Sequence, residues 1–203
     1  MIKLKAGLLA GTIVFGLMSA LALAQTSVRV RGAITGFDGH VLAVKTREGK
    51  DLKVSIIDDT AVSSVFSLQM SDIKQGSFVG VTAIKKAPTG RLYALEVHIF
   101  PETSRGMGEG HRDWDLEPGS TMTNANVDAI VEDNDGKELT LSYKGGTQKI
   151  TVPPGTPVVT FRPSDKSLLK TGAQVFFVAQ PAADGALTAQ RIQVGKDGMK
   201  PPM

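Results

Sequence analysis

The sequence predicts an all-β protein built from two related halves. Three observations carry this. Short runs of alternating apolar and polar residues recur through the chain, each bounded by Gly, Asp, Asn or Pro, as half-buried strands and their turns require. The second half repeats the first with an offset close to 96 residues. Each half also has the same order of elements, three strands, a short helix and two more strands. That is the order of the OB fold, a small five-stranded Greek-key barrel. The expected architecture is therefore two tandem OB-like barrels, each with a short helix between strands 3 and 4. An open five-stranded sheet or an SH3-like barrel fits the order less well. Barrel closure would also hide the edges of such short strands.

The chain divides into five segments. Residues 1–24 read as a signal peptide, 25–100 as the first OB-like domain, 101–124 as a glycine-rich linker, 125–195 as the second domain and 196–203 as a flexible tail. Met1 to Lys5 form a basic start, Ala6 to Ala20 an apolar run, and Ala22-Leu23-Ala24 the small-residue pattern that signal peptidase accepts, so cleavage is expected before Gln25. No later apolar run approaches spanning length. The mature chain is thus expected to be exported, periplasmic or secreted, with no membrane span after cleavage. Losing Lys3 and Lys5 lowers the formal charge of +3 by two. A chain so close to neutral has no long-range field with which to gather polyanions.

In the first half, VRVRGAITG, HVLAVKT and DLKVSI alternate and are separated by turns at Asp38-Gly39 and Glu48-Gly49. SLQMSDIKQG reads as a short helix or single turn, with Leu68 and Ile73 as anchors and Gly76 as its stop. FVGVTAIKK and RLYALEVHIF follow as strands. In the second half NVDAIVE matches VRGAITG, ELTLSYK matches VLAVKTR, and QKITV matches DLKVS. Gly172 matches Gly76, AQVFFVA matches SFVGVTA, and ALTAQRIQV matches RLYALEVHI. Two copies are too few for a solenoid, so the repeat points to paired domains.

A resemblance rests on these same runs. SDIKQGSFVGVTA followed by GRLYALEVHI resembles the recurring core of a bacterial family of exported OB-like domains to which no function is assigned. GEGHRDWDLEPGSTMTNANV and the terminal GKDGMKPPM are similar to segments of such proteins. The resemblance implies fold and compartment only, because its motifs are structural. Some members carry the label of metal-transporter permeases. This chain departs from that label, having no spanning helices after the leader, and could at most serve a transporter as an accessory.

The chemical motifs are few. The sequence has no cysteine, which removes disulfides, thiolate metal sites and thiol catalysis. Gly106, Gly108 and Gly110 resemble a phosphate-cradling run. The strand and helix that such a run needs are opposed by Pro118 and Gly119. Asp133-Asn134-Asp135-Gly136 resembles a calcium loop, but Val131 and Ser142 stand where oxygen ligands are required, so a hairpin turn fits instead. Strands 2 and 3 of an OB fold bind nucleic acid through aromatics. Here they offer only Tyr143, so no nucleic-acid partner is expected. His40 sits at a turn and His98 in a strand, and no nucleophile elbow accompanies the serines.

One constellation remains. Glu109, His111, Asp113 and Asp115 offer imidazole and carboxylate ligands for a divalent metal, and alternate spacing puts the last three on one side of an extended segment. Met107, Met122, Met199 and Met203 add thioethers that suit copper(I). Trp114, the only tryptophan, would face the other way and dock the linker in the groove between the barrels. The leading expectation is an exported non-enzymatic binding or structural module, without cofactor, whose partner is an exported protein or small ligand. A periplasmic accessory that handles divalent metal or copper, and an enzyme of unknown class, are the alternatives.

Overall fold

The computed structural model describes residues 27–182 and 185–202. The expected leader, its cleavage before Gln25 and Met203 lie outside those residues. The fold is all-β. Its strands are β1 (Val28–Phe37), β2 (Val41–Thr46), β3 (Asp51–Ser55), β4 (Ala61–Leu68), β5 (Phe78–Lys86), β6 (Arg91–Ile99), β7 (Gly110–Asp113), β8 (Ser120–Asp133), β9 (Gly136–Tyr143), β10 (Gly146–Val152), β11 (Val158–Ser164), β12 (Gln174–Pro181) and β13 (Leu187–Gly195). All belong to one hydrogen-bonded sheet. No helix among the described residues is long and apolar enough to cross a membrane.

Two expectations are corrected. The helices foreseen between strands 3 and 4 are single 3-10 turns, Met70–Asp72 and Lys166–Leu168. Each is held by local bonds, from Asp72 Oδ2 accepting the Gln69 N–H and from Asp165 Oδ1 accepting the Ser167 N–H. The residues before them, Ala61–Leu68 and Val158–Ser164, are extended strands rather than loops. The second correction concerns pairing. Residues 25–100 do not close on themselves into one barrel, nor do residues 125–195.

The halves instead exchange their last two long strands. β1 pairs with β2 on one edge and with β12 of the other half on its second edge. β8 likewise pairs with β9 and with β5. Two short parallel contacts, β13 with β3 and β10 with β6, turn each path back on itself. One circuit of pairings thus runs β1-β2-β3-β13-β12 and returns to β1. The other runs β8-β9-β10-β6-β5 and returns to β8.

The cores follow the same exchange. One apolar cluster joins Val30, Leu42, Val44 and Val54 to Phe177, Ala189 and Ile192. The other joins Val79, Val81 and Val97 to Leu139, Leu141 and Ile150. Alternation explains the choice of inward residues, since positions two apart share a face. Gly32 permits the tight crossing of β1 over β2, where a Cβ would collide with the Lys45 carbonyl.

The exchange is carried by β4 and β11, which pair antiparallel at the centre. Val62 faces Ser164 and Leu68 faces Val158, so a shift of 96 residues carries one pair onto the other. Val65 faces Phe161, its own counterpart under that shift. This is the self-complementary contact of a two-fold dimer, here within one chain. The C-terminal tail also packs back: Arg47 Nη2 donates to the Pro201 carbonyl at 2.9 Å, and Pro201 is buried.

Because each core draws on both halves, neither half holds a complete one. Cutting the main chain at a protease site inserted after Gly106 is expected to leave two fragments that co-elute as one particle of native size and part only in denaturant. Fragments that separate in native buffer would contradict the exchange.

Candidate binding site between the two circuits

The linker runs between the two circuits, and the side chains around it form the candidate site. From the second circuit come the outward residues of β5, β6 and β8. These are Gly80, Thr82, Glu96, His98, Met122 and Asn124, whose register partners place them side by side. From the first circuit come Arg29 and Arg31 of β1, Phe176 and Val178 of β12, and Arg191 and Gln193 of β13. Met122 and Phe176 pack together across the junction with Trp114. Phe161, at the centre of β11, forms the floor and meets the His98 ring edge-on at 4.9 Å.

A bulge sets which side chains face the junction. Strict alternation would put Glu96 and His98 on the core face with Leu92 and Ala94. The register of β5 and β6 slips between Thr82 and Ala83, leaving Leu95 unpaired. Parity reverses there, so Val97 enters the core and Glu96 and His98 turn outward. Both are nonetheless buried, His98 beneath the segment after β6 and Glu96 beside Thr82, within reach of the Arg31 and Arg47 charges of the first circuit. The Phe100 ring stacks on His98 at 4.8 Å, and Asn124 Nδ2 donates to the Met107 carbonyl at 2.9 Å. Gly80 is required beneath, since a Cβ there would stand 2.8 Å from Asn124 Oδ1.

Burial decides the charge states. Desolvation raises the Glu96 pKa to about 8 against the opposing pull of the Thr82 hydroxyl and of the Arg31 and Arg47 charges. Thr82 Oγ1 donates to Glu96 Oε1 at 3.1 Å, while Oε2 has no hydrogen-bond partner. Desolvation lowers the His98 pKa to about 3. At neutral pH the pair is a carboxylic acid and a neutral imidazole.

The residues singled out in the sequence lie in this linker but do different things. Trp114 is half-buried, between Met122 of one circuit and Phe176 of the other. The Arg29 guanidinium lies 4.1 Å from the centre of its ring, and Arg112 covers it at 5.5 Å. Asp115 binds Arg31 at 2.8 Å and Arg29 at 3.4 Å. Burial alone would raise its pKa, but those two arginines outweigh it and hold the carboxyl below its usual value. Glu109 Oε1 accepts the Lys144 N–H at 2.8 Å. His111 shares a 2.8 Å hydrogen bond with Thr123 Oγ1 and stacks on Tyr143. Desolvation lowers its pKa. Asp113, the last residue of β7, is exposed opposite Thr121 of β8.

The metal constellation is thus not assembled. Asp115 turns to β1 and Glu109 to the turn after β9. No group of three or more His, Asp or Glu among the described residues is placed to hold a metal ion. Met199 lies beside Phe66 on another surface, apart from Met107 and Met122, which both adjoin Phe176. Sequence reasoning missed Glu96, Asn124, Phe176, Arg191 and Gln193. The one available signal was a glutamate and a histidine set among apolar residues in ALEVHIF. A bulge cannot be read from that pattern.

Two adjoining cavities remain along the linker. The first, of about 290 Å³, is walled by Met107, Phe176, Val178, Gln190, Arg191 and Gln193. The second, of about 190 Å³, continues past Met107 to Ser63, Phe161 and Pro163. Comparison with known proteins returns no matching family model, no matching curated protein and no matching solved structure.

The protonated Glu96 has a stability consequence. Its folded pKa lies above the unfolded value, so the native state retains a proton that the unfolded state releases. Stability from this group is present below about pH 4 and is lost as pH rises toward 8. Glu96→Gln keeps the shape and cannot ionise. It is expected to raise the melting temperature near pH 8 and leave it almost unchanged near pH 4, in thermal melts followed by circular dichroism.

Proposed function

We propose that the protein is an exported, non-enzymatic module built of two OB-like five-stranded barrels, working by binding a partner in the groove between them. The circuits support the OB-like reading. In chain order of equivalent strands, each closes as 1-2-3-5-4-1, the order of that barrel, with strands 4 and 5 supplied by the opposite half. The apolar leader of residues 1–24 supports export.

The observation that carries the binding reading is the pair of cavities beside Met107. They lie where two barrels and a linker meet, and junctions of this kind are where ligand sites concentrate. Their walls mix aromatic and aliphatic surface with three glutamines and one arginine. That pairing of apolar area with a few convergent polar groups suits recognition. The neutral, buried Glu96 and His98 act beneath as packing that fixes the linker.

A photo-crosslinking residue at Val178, which is part-exposed on the cavity wall, tests this in the producing cell. A crosslinked species of defined mass is expected from Val178 and not from Val131, exposed on the hairpin of β8 and β9. Equal labelling from both sites, or none from Val178, would remove the binding reading.

A further inference from the structure

We infer that the groove along β12 and β13 is a docking site for an extended, acidic polypeptide segment of a partner protein. This rests on the reading of the groove as a binding site and names its occupant.

The internal symmetry points to a polypeptide. Gly80 pairs with His98 as Phe176 pairs with Gln193, so the two outward faces correspond strand by strand. On the second circuit that face already holds a polypeptide. Residues 100–108 lie across it, fixed by the Phe100–His98 stack and by the Asn124 amide on the Met107 carbonyl. Just beyond, β7 adds to the edge of β8 as an extra strand. On the first circuit the corresponding face is the cavity of about 290 Å³ beside Met107.

The polar groups there fit a main chain. Gln193 Oε1 is buried in the wall without a hydrogen-bond partner. An unsatisfied buried acceptor is costly to keep, and rotation of this amide toward the cavity lets it accept a backbone N–H. Gln180 and Gln190 flank the same cavity with further amides. Val178 is exposed and offers apolar surface to a side chain of a strand, above the largely buried Phe176 ring, the usual division of labour in strand recognition.

Charge selects the class of segment. Strand pairing sets β8 three residues off the sequence match of VRGAITG to NVDAIVE, so the first circuit carries Arg29, Arg31 and Arg191 where the second has Met122, Asn124 and Glu96. An acidic residue on an extended segment is already held there: Asp115 of the linker sits on Arg29 and Arg31. Arg191, further along the same face and exposed, is placed to take a second carboxylate.

The test uses the full exported chain and a phage-displayed library of random dodecapeptides. Selected peptides are expected to be enriched in Asp and Glu alternating with aliphatic residues. Synthetic copies should bind the native chain saturably in fluorescence anisotropy. Arg191→Glu is expected to weaken them roughly tenfold or more, and Gln193→Leu to weaken them less, with the thermal melt of each variant unchanged. Selected peptides without acidic enrichment, or affinities indifferent to Arg191→Glu, would overturn the inference. Failure to select any peptide, while crosslinking from Val178 persists, would overturn the polypeptide class and leave the binding module standing.

Discussion

The fold depends on the antiparallel pairing of β4 with β11. Among the described residues these are the only long strands that belong to neither closed path, and each leads the chain out of one circuit and into the other. β4 enters beside β13 and leaves toward β5, and β11 enters beside β6 and leaves toward β12. Extended and paired to each other, they cannot fold back as the compact helical connection of a self-contained barrel would. The remaining strands must then pair across halves. Val65, fully buried against Phe161 at the centre, lies where the two crossings meet. A chain whose halves are tied in this way gains two cores that are assembled together, each incomplete without the other.

The same crossing creates the candidate site. Because β11 and β4 join the two circuits into one sheet, the outward faces of β5-β6 and β12-β13 are turned toward a common junction. One face is covered by the linker after β6. The segment after β13 does otherwise: it turns at Lys196–Gly198 and ties Pro201 to Arg47, at the turn after β2. The strands are nearly symmetric and these two trailing segments are not, and that difference leaves the face of β12 and β13 open beside Met107. Side-chain chemistry diverges accordingly, with buried neutral groups under the linker and arginine and glutamine where the face is open.

Much of the strand content was legible in the sequence. DLKVSI and ELTLSYK alternate without interruption, and they lie where the alternation places them. The repeat was legible too, since Val62 and Val158 stand at matching points of the structure. Strand exchange was not legible, because local pattern is identical whether β5 or β12 lies beside β1. Both carry apolar residues with the same parity, and only the extended state of residues 61–68 and 158–164 decides between them. Propensity misled at SDIK and SDKS, where Asp72 from inside its 3-10 turn and Asp165 from the start of the other close a single turn instead of starting a helix. In the site, Trp114 and Asp115 could be noticed as unusual residues in a polar linker. The neighbours Glu109, His111 and Asp113 looked like ligands because spacing alone does not reveal that a lysine N–H, a threonine hydroxyl and two arginines claim the polar atoms nearby.

β1 lies beside β12 rather than beside β5, and paired cysteines test this placement. The sequence has no cysteine, so any disulfide formed is the engineered one. Arg29 and Val178 are register partners, a spacing that a disulfide can span. Thr82 is the counterpart of Val178 in the first half, and would stand beside Arg29 if that half closed its own barrel. The pair Arg29→Cys with Val178→Cys is expected to oxidise within one chain, read as a faster-migrating monomer on a non-reducing gel, while Arg29→Cys with Thr82→Cys stays reduced. Closure of the second pair and not the first would contradict it.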